Sequence, residues 1–142
     1  MSFLDKAKEN YEAAVNAYKG EKYNAAANRL YYALFQACRG EIIKKGMKLK
    51  DFVKYDRLEE IKNQKRDTDC EWWPHSDVIN VVSVPIERNG LGLNSKDKST
   101  ITLSHGLRTK SDYYANAKVE EDDLTELLET SRKLLQGLGV AV

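Results

Sequence analysis

The chain has 142 residues, 42% of them apolar and 32% charged, with a formal net charge of +1. That length suits one domain spanning residues 1–142 and sustains a modest core, and the balance is that of a folded rather than a disordered chain. A near-zero net charge excludes any global electrostatic attraction to nucleic acid, and no apolar run approaches the ~20 residues needed to span a bilayer.

The first residues, Met1-Ser2-Phe3-Leu4-Asp5-Lys6, lack the apolar core of a signal peptide, so the expected location is the cytoplasm. Two cysteines, Cys38 and Cys70, fit that compartment as a buried thiol and a loop thiol. Charge is unevenly spread. Residues 44–66 hold nine basic and four acidic side chains, a local +5, and residues 119–142 hold six acidic and two basic ones, a local −4. The basic stretch suits phosphate or simply a solvated helix end and loop.

Phe3, Leu4, Ala7, Tyr11, Ala14, Val15 and Tyr18 recur at spacings of three and four, which predicts a first helix. Ser2 is placed to cap it, Asp5 to favour its positive end, and Gly20 to end it with a left-handed backbone. A second helix over 21–45 carries a wide stripe: Tyr23, Ala27, Leu30, Tyr31, Leu34, Phe35, Cys38 and Ile42. So wide a stripe predicts the central helix, stopped at Gly46.

Residues 51–64 read as a polar, partly helical connector. In 72–84 the residues Val78, Ile79, Val81, Val82 and Val84 favour a strand by propensity. A lone strand among helices lacks a pairing partner, so the expectation is a short helix beginning at Pro74. Asn89-Gly90, Gly92 and Asn94-Ser95 mark 85–99 as a long exposed loop. A fourth main helix is expected over 100–115, with Leu103, Leu107 and Tyr114 on one face. The last helix carries Leu124, Leu127, Leu128, Leu134, Leu135 and Leu138, with a Glu120 cap and a Val119–Leu124 staple. The predicted fold is all-α: an antiparallel four-helix up-and-down bundle with an extra short helix and a long loop before the fourth main helix.

Three phrases carry a family resemblance. Asn28-Arg29-Leu30-Tyr31-Tyr32-Ala33-Leu34-Phe35-Gln36-Ala37 is similar to S-R-x-Y-Y-A-x-F-H-A. Trp73-Pro74-His75-Ser76-Asp77-Val78-Ile79 is similar to H-S-x-[VL]-I, and Leu107-Arg108-Thr109-Lys110-Ser111-Asp112-Tyr113 to L-R-x-x-A-D-Y. An acidic, leucine-rich final helix follows. In that order and spacing the chain resembles the HEPN domain, the helical nucleotide-binding family of higher eukaryotes and prokaryotes. The resemblance implies a helical bundle, frequent dimers, and a link to RNA or nucleotides. Some members are metal-independent ribonucleases with an R-x4-6-H motif, in which arginine steadies the phosphate and histidine handles the ribose 2′-hydroxyl. Others are non-catalytic partners of a small nucleotidyltransferase.

Here Arg108 is followed after four residues by Tyr113, and Arg29 after six by Gln36. Neither replaces imidazole at neutral pH. The expectation is therefore a non-catalytic binding or adaptor protein, with an atypical ribonuclease as the alternative. No residue is assigned a catalytic role, no cofactor is implied, and Cys70, His75 and His105 are too scattered for a metal cage.

Candidate phosphate- or nucleotide-binding residues are Arg29, Tyr32, Arg108, Asp112 and Tyr113. Arg108 and Asp112 are four apart on one helix face, which equally suits an intrahelical ion pair. Arg29 equally suits a bond to helix-end carbonyls or an acid. Trp73, His75 and Ser76 are candidates for a groove or a base-stacking platform, or for core packing and helix capping. Crowding of Tyr31, Tyr32 and Phe35 on one helix suggests aromatic area left over for a partner. The expected partners are a second copy, with both arginine phrases facing one cleft, RNA or a nucleotide, and a nucleotidyltransferase subunit.

Overall fold

The computed structural model describes residues 2–63, 75–82, 84, 86, 91–113 and 118–142. These residues form six α-helices and one 3-10 turn, and no strand occurs among them. The fold is all-α, as its periodic stripes predict. Among the described residues no helix is long and apolar enough to cross a membrane.

Helix α1 spans Phe3–Lys19. Its cap is reciprocal: the Ser2 hydroxyl accepts from the Asp5 amide at 3.1 Å, and the Ser2 amide donates to the Asp5 carboxylate at 3.2 Å. Its end departs from expectation. Gly20 stays at φ −86°, and the left-handed position falls one residue later, on Glu21 at φ 60°. The amides of Glu21 and Lys22 reach back to the carbonyls of Tyr18 and Ala17, so the paired closing bonds decide which residue takes the strained turn.

Helix α2, Tyr23–Lys44, is the central element and packs against α1, α5 (Ser95–Tyr113), α6 (Glu121–Gly137) and α4 (His75–Val81). Ten of its side chains are buried, including Leu30, Tyr31, Leu34, Phe35 and Ile42. Gly46 ends it at φ 66°, in the role the sequence assigns it. Tyr31 and Phe35 are buried within the one chain, so the expectation of leftover aromatic surface is corrected for these two, while Tyr32 is half-buried. The neighbouring helices are close enough to cover them.

The connector forms a 3-10 turn, Leu49–Asp51, and helix α3, Tyr55–Asn63. The β-branched segment is helical at α4. Asp77, buried there, is held by Arg57 of α3 at 2.9 Å. A buried carboxylate needs such a partner, and this pair ties α4 to α3. Trp72, Trp73 and Pro74 lie outside the described residues, as does the predicted turn at Asn89-Gly90.

Helix α5 begins at Ser95, five residues before the predicted start. Asn94 is the reason: its side-chain oxygen accepts from the Asp97 amide at 2.8 Å, so Asn94-Ser95 is a helix start rather than a loop turn. The predicted apolar face of α5 is corrected in part: Leu103 is 61% exposed, Leu107 is half-buried against the core, Tyr114 lies outside the described residues, and the buried positions are Thr100, Ile101 and Ser104. Helix α6 matches expectation: the Glu120 amide donates to Asp123 at 2.8 Å, and both Val119 and Leu124 are buried. The Tyr11 hydroxyl donates to the Leu128 carbonyl at 3.1 Å and ties α1 to α6.

Candidate functional site

Three helices converge on one cluster. From α2 come Asn28, Tyr31, Tyr32 and Phe35; from α4, His75; from α5, His105, Arg108 and Asp112. Tyr31 is fully buried, and its hydroxyl lies 2.6 Å from His75 Nδ1. A buried hydroxyl must place its proton on an acceptor, and burial holds this phenol well above its ordinary value. Tyr31 therefore donates and Nδ1 accepts, which leaves the proton of neutral His75 on Nε2. The His75 ring also stacks on Phe35, with centroids 4.0 Å apart and planes at 10°. His105 also meets Tyr31, with ring centroids 5.0 Å apart.

Arg108 occupies the middle. Its guanidinium carbon lies 5.8 Å from the Tyr31 ring centroid and 5.5 Å from that of Tyr32, within cation–π range. One terminal nitrogen donates to the Tyr32 hydroxyl at 3.2 Å. Nε lies 3.0 Å from the Asp112 carboxylate, with side-chain exposures of 17% and 31%. Asn28 donates to the same carboxylate oxygen at 3.1 Å. The ion pair allowed by the four-residue spacing is thus present, and it sits inside a larger polar and aromatic cluster.

Burial pushes His75 below the ordinary imidazole value, helped by the positive charge of Arg108 and by His105 and Arg39. His105 is lowered by burial and then by Arg108. Both imidazoles lose affinity for a proton on folding, so they stabilise the fold above the unfolded imidazole value of ~6.5, and that contribution is lost as pH falls through the folded values. The melting temperature is therefore expected to drop on acidification from pH ~7.5 to ~5.5, with a shallower slope in His75→Gln. Calorimetry across that window checks the sign; a melting point that rises on acidification would contradict it.

The other sequence candidates fall elsewhere. Arg29 is exposed and reaches Asn10 of α1 at 3.4 Å, away from Arg108. Ser76 is exposed on α4. Trp73 and Cys70 lie outside the described residues, as does the side chain of Tyr113. Cys38 is buried, its thiol pushed up to about 12 by burial, which makes it a poor nucleophile. No group of three potential metal ligands occurs among the described residues.

Sequence reasoning missed Asn28, Tyr31, Phe35 and His105 as members of this cluster. One signal was available. His105 lies three residues before Arg108, and helix neighbours are symmetric in direction. A motif search that looks only downstream of arginine passes over a histidine one turn upstream.

A model of the HEPN domain family matches residues 1–72, half of the chain. This chain belongs to the HEPN family. The matched segment takes in α1, α2 and α3 and contributes the α2 wall of the cluster. His75, His105 and Arg108 lie beyond it. No curated protein matches the chain.

Proposed function

We propose that this HEPN domain is a non-catalytic binding module for a phosphate-bearing ligand, a nucleotide or RNA, seated on Arg108. The observation that carries this reading is the largely buried Arg108 guanidinium, set over two tyrosine rings and ion-paired with a partly exposed carboxylate. A partly exposed ion pair contributes little net stability, so a phosphate offering two oxygens can displace Asp112 from the guanidinium. The Nε2–H of His75 would add a neutral donor, and Tyr32 a ring edge and a hydroxyl. Tyr113 stays in the proposal through its place in the motif. As an adaptor, the domain would join a second copy or a small nucleotidyltransferase; family membership supports that part.

One observation favours a second reading, an atypical ribonuclease. Although the motif positions hold Tyr113 and Gln36, the fold brings two imidazoles to Arg108 from other places in the sequence. A single experiment separates the readings. Calorimetric titration with adenine nucleotides and a short RNA is expected to show binding that weakens at least about tenfold in Arg108→Ala, the loss of one charge-assisted contact. Arg108→Lys is expected to fall in between, and Arg29→Ala to bind like the native protein. Equal binding by native protein and Arg108→Ala would reject the site. The recovered RNA is expected to be intact. Cleavage that disappears in both Arg108→Ala and His75→Ala would move the conclusion to the ribonuclease.

A further inference from the structure

The basic stretch of the sequence lies apart from the Arg108 cluster, at the end of α2 and through the 3-10 turn. Lys44, Lys45, Lys48, Lys50 and Lys54 stand there against one acid, Asp51, a local +4. All five lysines are exposed. The reason is the apolar residues between them: Leu49 is fully buried, and Met47, Phe52 and Val53 pack against the core. With those side chains turned inward, the lysines are left at the surface. Lys44, Lys45, Lys50 and Lys54 take part in no ion pair among the described residues. The nearby acids of α3 are engaged elsewhere, Glu59 with Lys62 and Glu60 with Arg57. Charge alone would make this a solvated face.

Two features at the end of the run say more. Tyr55 follows Lys54 directly and is 73% exposed. Among the tyrosines whose side chains are described, it alone is exposed; the others are buried or half-buried. Beside it a hollow of about 250 Å³ opens between the 3-10 turn, α3 and α4, with Phe52, Val53, Val81 and Val84 as apolar walls. Lys54 and Asn80 also line it. Its one buried charge, Asp77, is already matched by Arg57 at 2.9 Å, so the interior is close to neutral. Drug-sized ligands fill about 300–1,000 Å³, so this space suits a smaller, flat and uncharged group. The amide of Asn80 offers it both a donor and an acceptor.

We propose that the surface from Lys44 to Tyr55, together with this hollow, binds single-stranded nucleic acid. Its phosphates lie along the lysines, one base stacks on Tyr55, and a neighbouring base enters the hollow toward Asn80. The choice of partner rests on the alternation of charge and flat apolar contact. A single strand presents both along its length, negative phosphates and unpaired rings. An acidic polypeptide supplies the charge without the rings, a mononucleotide supplies too few phosphates for the run of lysines, and a duplex keeps its bases inside. The inference goes beyond the function proposed above, which a mononucleotide on Arg108 would satisfy. Helix α4 lends His75 to the Arg108 cluster and Asn80 and Val81 to the hollow, yet no residue is shared between the two sites. Either can fail alone.

Fluorescence anisotropy of the full chain with labelled single-stranded RNA and single-stranded DNA of one mixed sequence, over a salt series, is the test. Binding of either strand supports the surface, and the tighter one names the source. The logarithm of the affinity is expected to fall with the logarithm of salt at a slope of about −3, since each phosphate contacted on a single strand contributes about −0.7. Lys50→Glu with Lys54→Glu is expected to weaken binding at least about tenfold and to flatten that slope. Tyr55→Ala is expected to weaken it at least about fivefold with the slope unchanged, and Tyr55→Phe, which keeps the ring, to bind like the native protein. All these positions are exposed, so the variants are expected to melt like the native protein. Arg108→Ala is expected to retain strand binding, which separates this surface from the Arg108 reading. A second measurement needs no variant: thiouridine-bearing RNA is expected to photo-cross-link within residues 51–57. Absence of strand binding at low salt overturns the proposal. So does duplex RNA or polyglutamate binding as tightly as the single strand, or strand binding indifferent to Tyr55→Ala. Strand binding lost in Arg108→Ala but kept in the lysine variant overturns it too, by placing the strand on Arg108.

Discussion

Replacing Leu30 by alanine is expected to lower the stability of this domain by about 2–5 kcal/mol, the range for deleting a fully buried leucine. Leu30 has no exposed surface, and it sits on the helix that packs against every other main helix. The neighbours cannot all close on the missing atoms at once, so the lost transfer energy is joined by the cost of a residual cavity. For a chain of this size each kcal/mol moves the melting midpoint by about 2–4 °C, so a fall of roughly 4–20 °C is expected. Leu103→Ala supplies the contrast: the same chemical change at a largely exposed position is expected to cost under about 0.5 kcal/mol. Thermal unfolding of the two variants checks both. Similar midpoints for Leu30→Ala and the native protein would mean that α2 is not the centre of the core.

Tyr31→Phe is expected to cost about 1–3 kcal/mol, because it removes one oxygen and leaves His75 Nδ1 without its donor in a half-buried place. The ring is kept, so stacking on Phe35 and the cation–π contact with Arg108 survive. The same change has a second readout that packing alone would not move. A donor on Nδ1 favours the neutral imidazole, so its loss is expected to raise the titration midpoint of His75 toward the ordinary value. Nuclear magnetic resonance titration of the ring protons measures this directly. A stability loss with an unmoved midpoint would reduce Tyr31 to a packing residue and remove the tautomer assignment on which the Nε2–H donor rests.

Much of this fold is local and was readable in the chain. The Ser2–Asp5 cap, the leucine stripe of α6 and the Gly46 stop each depend on residues within a turn or two of one another. Their physics is complete within such a window: a side-chain oxygen meets an orphan amide, one face is apolar, or one residue tolerates a left-handed turn. The helical state of 75–81 was legible only through an argument about the whole fold, since its β-branched residues favour extended backbone on their own. The start of α5 was misplaced because Asn94-Ser95 carries the same signal for a turn and for a helix cap.

What the sequence determined by itself is therefore the all-α class, the central place of α2 and the acidic start of α6, because periodicity and capping act between neighbours. Tertiary structure alone decided that Tyr31, His75, His105 and Arg108 share one cluster, that Arg29 turns toward α1, and that Leu103 faces outward. These follow from how three helices rotate to bury their widest stripes against α2. That rotation is a compromise over the whole core, so no spacing within a single helix encodes it.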